Sequence, residues 1–100
     1  MTSILGVWDL TMKTPIGSIA AVYTFAESDG VLCGSAASRD ETVELRSVVR
    51  QGATVTWQQS ISRPMRLNLR FDVQVDDGTL TGYSRAGRLP RSPVTGTRRS

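Results

Sequence analysis

Residues 65–75 alternate without a break. Met65, Leu67, Leu69, Phe71, Val73 and Val75 fall on one face of an extended segment, and Arg66, Asn68, Arg70, Asp72 and Gln74 on the other. A period of two belongs to a β-strand, and a polar second face belongs to antiparallel sheet with one side in water. The same alternation runs through 8–12, where Trp8, Leu10 and Met12 share a face, and through 18–25 with Ile19, Ala21, Tyr23 and Phe25. It returns in 53–61 with Val55, Trp57, Gln59 and Ile61. No window has convincing helical periodicity. Residues 40–50 tolerate a helix best, but Val43, Leu45, Val48 and Val49 fit a strand at least as well.

Turn chemistry separates these runs. Thr14-Pro15-Ile16-Gly17, Glu27-Ser28-Asp29-Gly30, Ser38-Arg39-Asp40, Arg50-Gln51-Gly52, Ser62-Arg63-Pro64 and Asp76-Asp77-Gly78 each punctuate the chain, and 86–93 is a longer connection. Eight strands are predicted at 4–14, 17–27, 31–37, 41–50, 53–62, 65–75, 79–86 and 93–99. Tight hairpins between short strands favour an all-β, eight-stranded antiparallel up-and-down barrel, because closure removes both sheet edges. A flattened sandwich is the nearest competitor. The 100 residues make one domain, 1–100.

Composition narrows the chemistry. With no histidine and one cysteine, Cys33, the chain has no His-based triad, no His or Cys-cluster metal site and no internal disulfide. No cofactor or metal is expected. No apolar run is long enough to span a bilayer and the N-terminus does not read as a secretory signal, so the expected location is cytoplasmic.

Two segments repeat. Trp8 with Pro15 matches Trp57 with Pro64, and Asp29-Gly30-x-Leu32-x-Gly34 matches Asp77-Gly78-x-Leu80-x-Gly82. Strands 1–3 then read as a copy of strands 5–7, giving two half-barrels; shared hairpin chemistry is the alternative.

Gly6-x-Trp8 opens strand 1 and Gly96-Thr97-Arg98 closes strand 8. This pattern resembles the lipocalin, avidin and fatty-acid-binding barrels. It is most similar to short, mostly uncharacterised bacterial lipocalin-like domains, whose further motifs fall here on Thr14, Pro15, Gly17, Gly30, Leu32, Gly34, Val55, Trp57, Gly78, Leu80 and Gly82. The resemblance implies a small-molecule pocket, and a plug of Gly6, Trp8 and Arg98 in which the arginine packs across the indole. It names no ligand. The lipocalin side helix has no candidate here, and the polar set that would hold biotin is missing.

The formal charge of +3 is unevenly placed: residues 1–45 carry −4 and residues 46–100 carry +7. Hairpin parity puts Lys13, Arg39, Arg63, Arg88 and Arg91 on one rim, with Arg66 just below. Glu27, Asp29, Arg50, Asp76 and Asp77 lie on the other. Trp8 and Arg98 belong to the acidic rim, so the basic rim is the expected mouth, with 86–93 as its lid. A basic mouth draws anions, and a merely solvated rim is the plainer reading.

Inside, Met12, Tyr23, Trp57, Gln59, Ile61, Met65, Leu67 and Phe71 are the expected ligand contacts. Tyr23 and Gln59 need hydrogen-bond partners when buried. They either orient a ligand or bond each other, backbone or a trapped water. No carboxylate faces inward, so Tyr23 is the best catalytic candidate, with Asp40 or Glu41 reaching in from the rim.

The leading functional expectation is a binding barrel for a small, mostly apolar ligand, with an acidic group as an optional feature of that ligand. The alternative is a cofactor-free cyclase or isomerase acting by confinement on a polyketide-like substrate. A filled barrel serving as an interaction domain or homodimer is a further reading. Nucleic acid is not the expected partner, because most aromatics face inward and Arg66 and Arg70 alternate with Asn68 and Asp72, as on a solvated wall.

Overall fold

The computed structural model describes residues 4–14, 17–39, 41–61 and 66–99, with Thr14 and Ile61 by backbone alone. Pro15, Asp40, Arg63, Pro64 and Met65, and the Ile61 side chain, were singled out above and lie outside the described residues.

Nine antiparallel strands follow one another in a meander and form a nearly closed barrel. They are β1 (Gly6–Thr14), β2 (Gly17–Ser28), β3 (Val31–Ala37), β4 (Thr42–Glu44), β5 (Arg46–Gln51), β6 (Thr54–Ile61), β7 (Leu67–Asp76), β8 (Thr79–Ala86) and β9 (Ser92–Arg98). The hydrogen-bonded order is β4-β3-β2-β1-β9-β8-β7-β6-β5. β1 therefore pairs with both β2 and β9, through Trp8↔Tyr23 and Trp8↔Arg98. No helix among the described residues is long and apolar enough to cross a membrane.

The ninth strand arises from a break in the expected fourth. Residues 41–50 bend at Leu45, so that β4 pairs with β3 and β5 pairs with β6. Ser47 takes a positive φ of 53°, and the β5–β6 register shifts between Arg46 and Val49. This is a β-bulge, which bends its strand and sharpens its twist. The two ends of the sheet are thus joined through a single residue, Leu45. Its N–H still donates to the Gly34 carbonyl at 2.9 Å, and its side chain is buried. Closure needs this corner, and hydrophobic alternation alone does not reveal it.

The half-barrels correspond in register. Trp8 stands opposite Tyr23 as Trp57 stands opposite Phe71. Asp29 and Asp77 open their hairpin turns at φ values of 52° and 56°. A Cβ on Gly34 would meet the Thr24 carbonyl at 2.7 Å, and one on Gly82 would meet the Asp72 carbonyl at 2.1 Å. Both positions demand glycine because a neighbouring strand passes too close for any side chain.

The inward faces make one core. Trp8, Val55, Trp57, Phe71, Val73, Leu80 and Val94 are essentially fully buried. Tyr23, Phe25, Trp57 and Phe71 form one aromatic cluster, with Trp57 and Phe71 stacked at 4.9 Å and 9°. Each such ring pair contributes about 1 kcal/mol beyond its buried area. Ile4, two residues before β1, is also buried in the core.

Candidate functional site

The two ends of the barrel differ. At one end, the Arg98 guanidinium lies 4.4 Å over the Trp8 ring and donates to the Leu5 carbonyl. The Trp8 indole N–H donates to the Ile4 carbonyl at 2.8 Å. Ile4, Trp8 and Arg98 together cover this end. Gly6 begins β1 beside them.

The interior space lies toward the other end. A cavity of about 50 Å³ is walled by Leu10, Met12, Ile19, Ala21, Tyr23, Ala36, Val43, Leu69, Phe71 and Val94, with Gln59, Ser38 and Glu41 adding polar groups. An engineered apolar cavity that takes benzene is roughly 150 Å³, and a ligand pocket is typically about 300 Å³ or more. The space here suits a few waters or one small functional group. The aromatic cluster fills much of the volume that an enclosed ligand would need.

Gln59 is the polar centre. The residue as a whole is only 3% exposed. Its carbonyl oxygen accepts from the Tyr23 hydroxyl at 2.7 Å and from the Trp57 indole N–H at 3.0 Å. An indole N–H can only donate, so Trp57 fixes which end of the amide it faces. The NH₂ end is left with no acceptor among the described residues, and Gln59 lines the cavity. Two N–H donors are therefore available to whatever occupies that space. Of the two sequence readings for Tyr23 and Gln59, mutual bonding holds for the phenol and the amide oxygen. The amide NH₂ is the part that remains open to a ligand.

Burial pushes the Tyr23 phenol well above its ordinary range, and the Gln59 hydrogen bond opposes this only in part. Near neutral pH the phenol stays protonated and donates its O–H to the Gln59 carbonyl oxygen. Ser84 is buried opposite Phe71 and donates to the Met12 sulfur, holding that thioether at the cavity wall.

Comparison with family models, with curated proteins and with solved structures finds no match.

Met12, Tyr23, Gln59 and Phe71 line the cavity, as the inward phase of their strands requires. Trp57 lies behind Gln59 and is not part of the lining, and Leu67 is partly buried against the core. Ser38 and Glu41 come from the β3–β4 connection, where the Ser38 N–H and hydroxyl both donate to the Glu41 carbonyl at 2.8 and 3.2 Å. Alternation could not locate Ser38, because it belongs to a turn. Glu41 also lines the cavity.

Arg39, Arg66, Arg88 and Arg91 all sit in or next to connections at the cavity end, yet none of them lines the cavity. Arg91 stacks on Tyr83 at 4.7 Å, on the outer wall. Cys33 is exposed. Among the described residues no group of three or more metal-ligating side chains occurs.

Proposed function

We propose that the chain is a binding barrel for a small, mostly apolar molecule that inserts a hydrogen-bond acceptor, such as a carbonyl or hydroxyl oxygen, against the Gln59 NH₂ group. The observation that carries this reading is the Gln59 amide NH₂, which has no acceptor among the described residues, on a residue that lines the cavity. An amide NH₂ can donate two hydrogen bonds, and a ligand oxygen in the cavity would accept one of them. The cavity admits only the head of such a ligand, so its apolar body lies against Met12, Ile19 and Val43 toward the mouth.

The same reading includes kinship with the lipocalin-like barrels, supported by Arg98 over Trp8. A reducing, cytoplasmic setting is supported by the exposed free thiol of Cys33. The confinement-catalysis alternative loses support, because so small a space cannot fold a flexible substrate.

Tryptophan fluorescence tests the proposal, since Trp57 is bonded to the same amide. Medium-chain ketones, alcohols, fatty acids, aromatic acids and polyketide-like compounds form the panel. A saturable change with ketones or alcohols that is absent with the matching alkane is the expected result. No response or thermal shift across the panel overturns the proposal.

A further inference from the structure

Four outward-facing residues from four different strands stand in one row. Arg46 is paired with Gln58, Gln58 with Arg70, and Arg70 with Arg85, across β5, β6, β7 and β8. All four are exposed. At about 4.8 Å between strands, the row is about 14 Å wide. Ser60 and Asn68 form the neighbouring rung, with Arg66 just before β7. Arg91, lying on Tyr83, extends the same wall on its β8–β9 side. Five arginines thus share this wall with Asp72 as the carboxylate among them.

None of the five forms an ion pair with a described carboxylate. Arg46 donates to Ser60, which in turn donates to Asn68, and the Arg85 Nε donates to the Leu89 carbonyl. These are neutral partners. Like charges directly opposite on adjacent strands destabilise a sheet, and Arg70 faces Arg85. The wall therefore holds a repulsion that its own side chains leave uncompensated and that a bound polyanion would relieve.

We propose that this wall is a docking surface for single-stranded nucleic acid. Guanidiniums neutralise phosphates, and the interleaved Gln58, Ser60 and Asn68 offer donors and acceptors to base edges. Tyr83 with Arg91 supplies a stacked edge of the kind that unpaired bases use. A flexible single strand adapts to a curved barrel wall better than a rigid duplex. A membrane is the poorer partner, because the exposed large hydrophobics Val49 and Leu89 lie at the margins of the wall and not on the row. The alternation along β7 taken alone resembles a solvated face. Only the cross-strand register brings Arg46 and Arg85 into line with Arg70.

The test is fluorescence anisotropy with a labelled single-stranded RNA of mixed sequence, the same sequence as DNA, and the matching duplex. Salt is varied from about 50 to about 200 mM. Binding of either single strand is expected, with affinity falling steeply with salt at a slope of about −0.7 per phosphate neutralised. The double variant Arg70→Gln/Arg85→Gln should lose about tenfold or more at low salt and flatten that slope by about 1.4. Both substitutions are on exposed side chains, and thermal unfolding at low salt should show the variant at least as stable as the parent. Arg50→Gln, at the opposite rim, should bind as the parent does. Each of these results overturns the proposal: no binding at about 50 mM salt, binding that the double variant leaves intact, or equal or tighter binding to the duplex. Association with anionic phosphatidylserine vesicles in place of the oligonucleotides would also overturn it.

Discussion

The Arg98 guanidinium lies 4.4 Å over the ring of Trp8. The two residues come from the last and first strands, which pair directly with each other in the barrel. A cation over an indole face and a charged hydrogen bond to the Leu5 carbonyl both depend on this one side chain. Arg98→Ala is expected to lower stability by about 2 kcal/mol in chemical denaturation. Arg98→Lys should recover only part of the loss, since an ammonium neither stacks nor forks as a guanidinium does.

Gly82 and Gly34 occupy equivalent places in the two half-barrels, but their clearances differ. A Cβ at Gly82 would lie 2.1 Å from the Asp72 carbonyl, and one at Gly34 would lie 2.7 Å from the Thr24 carbonyl. Both obstacles are backbone and cannot swing away. Gly82→Ala should therefore cost about 3 kcal/mol or prevent folding, and Gly34→Ala should cost less. Urea midpoints of the two variants check the order.

Tyr23 predicts an alkaline loss of stability. Its phenol ionises less readily in the folded protein than at the ordinary value of about 10. Above about pH 10 the unfolded chain releases this proton first, so the folded state binds more protons and stability falls as pH rises. Below that pH the contribution is fully present. Tyr23→Phe should remove this part of the alkaline decline. At neutral pH it should cost about 1 kcal/mol, because Trp57 still donates to the Gln59 oxygen. Denaturation curves across the alkaline range give both numbers.

Gln59→Leu should be more harmful than Tyr23→Phe. It strips the acceptor from both the Trp57 indole and the Tyr23 hydroxyl, leaving two buried donors unpaired. A loss of about 2–4 kcal/mol is expected. A loss no greater than that of Tyr23→Phe would mean that the two donors find another acceptor.

The barrel was largely legible because its signal is local. The alternation over 67–75 becomes β7, and the Asp29-Gly30 and Asp77-Gly78 pairs become two-residue hairpins. The corner at Leu45 and Ser47 was not legible, since Val43, Leu45, Val48 and Val49 keep a strand-like composition straight through the bend. The site was half legible. Phase placed Met12, Tyr23, Gln59 and Phe71 on the cavity wall. It could not say that Trp57 would take one end of the Gln59 amide and leave the other free, nor that four clustered rings would leave so little space. Both facts arise from how side chains of different strands pack, which strand periodicity does not encode. The arginine row escaped for the same reason, as its members are neighbours across strands and not along them.

The central claim is that the Gln59 NH₂ group receives a ligand oxygen. Its two side-chain N–H resonances report this directly in a nitrogen-15 correlation spectrum titrated with a medium-chain methyl ketone and, separately, with the alkane of equal length. The account predicts that the ketone shifts the Gln59 NH₂ pair downfield, in step with the fluorescence change at Trp57, while the alkane leaves the pair in place. A ketone that binds the protein without moving those two resonances would contradict it.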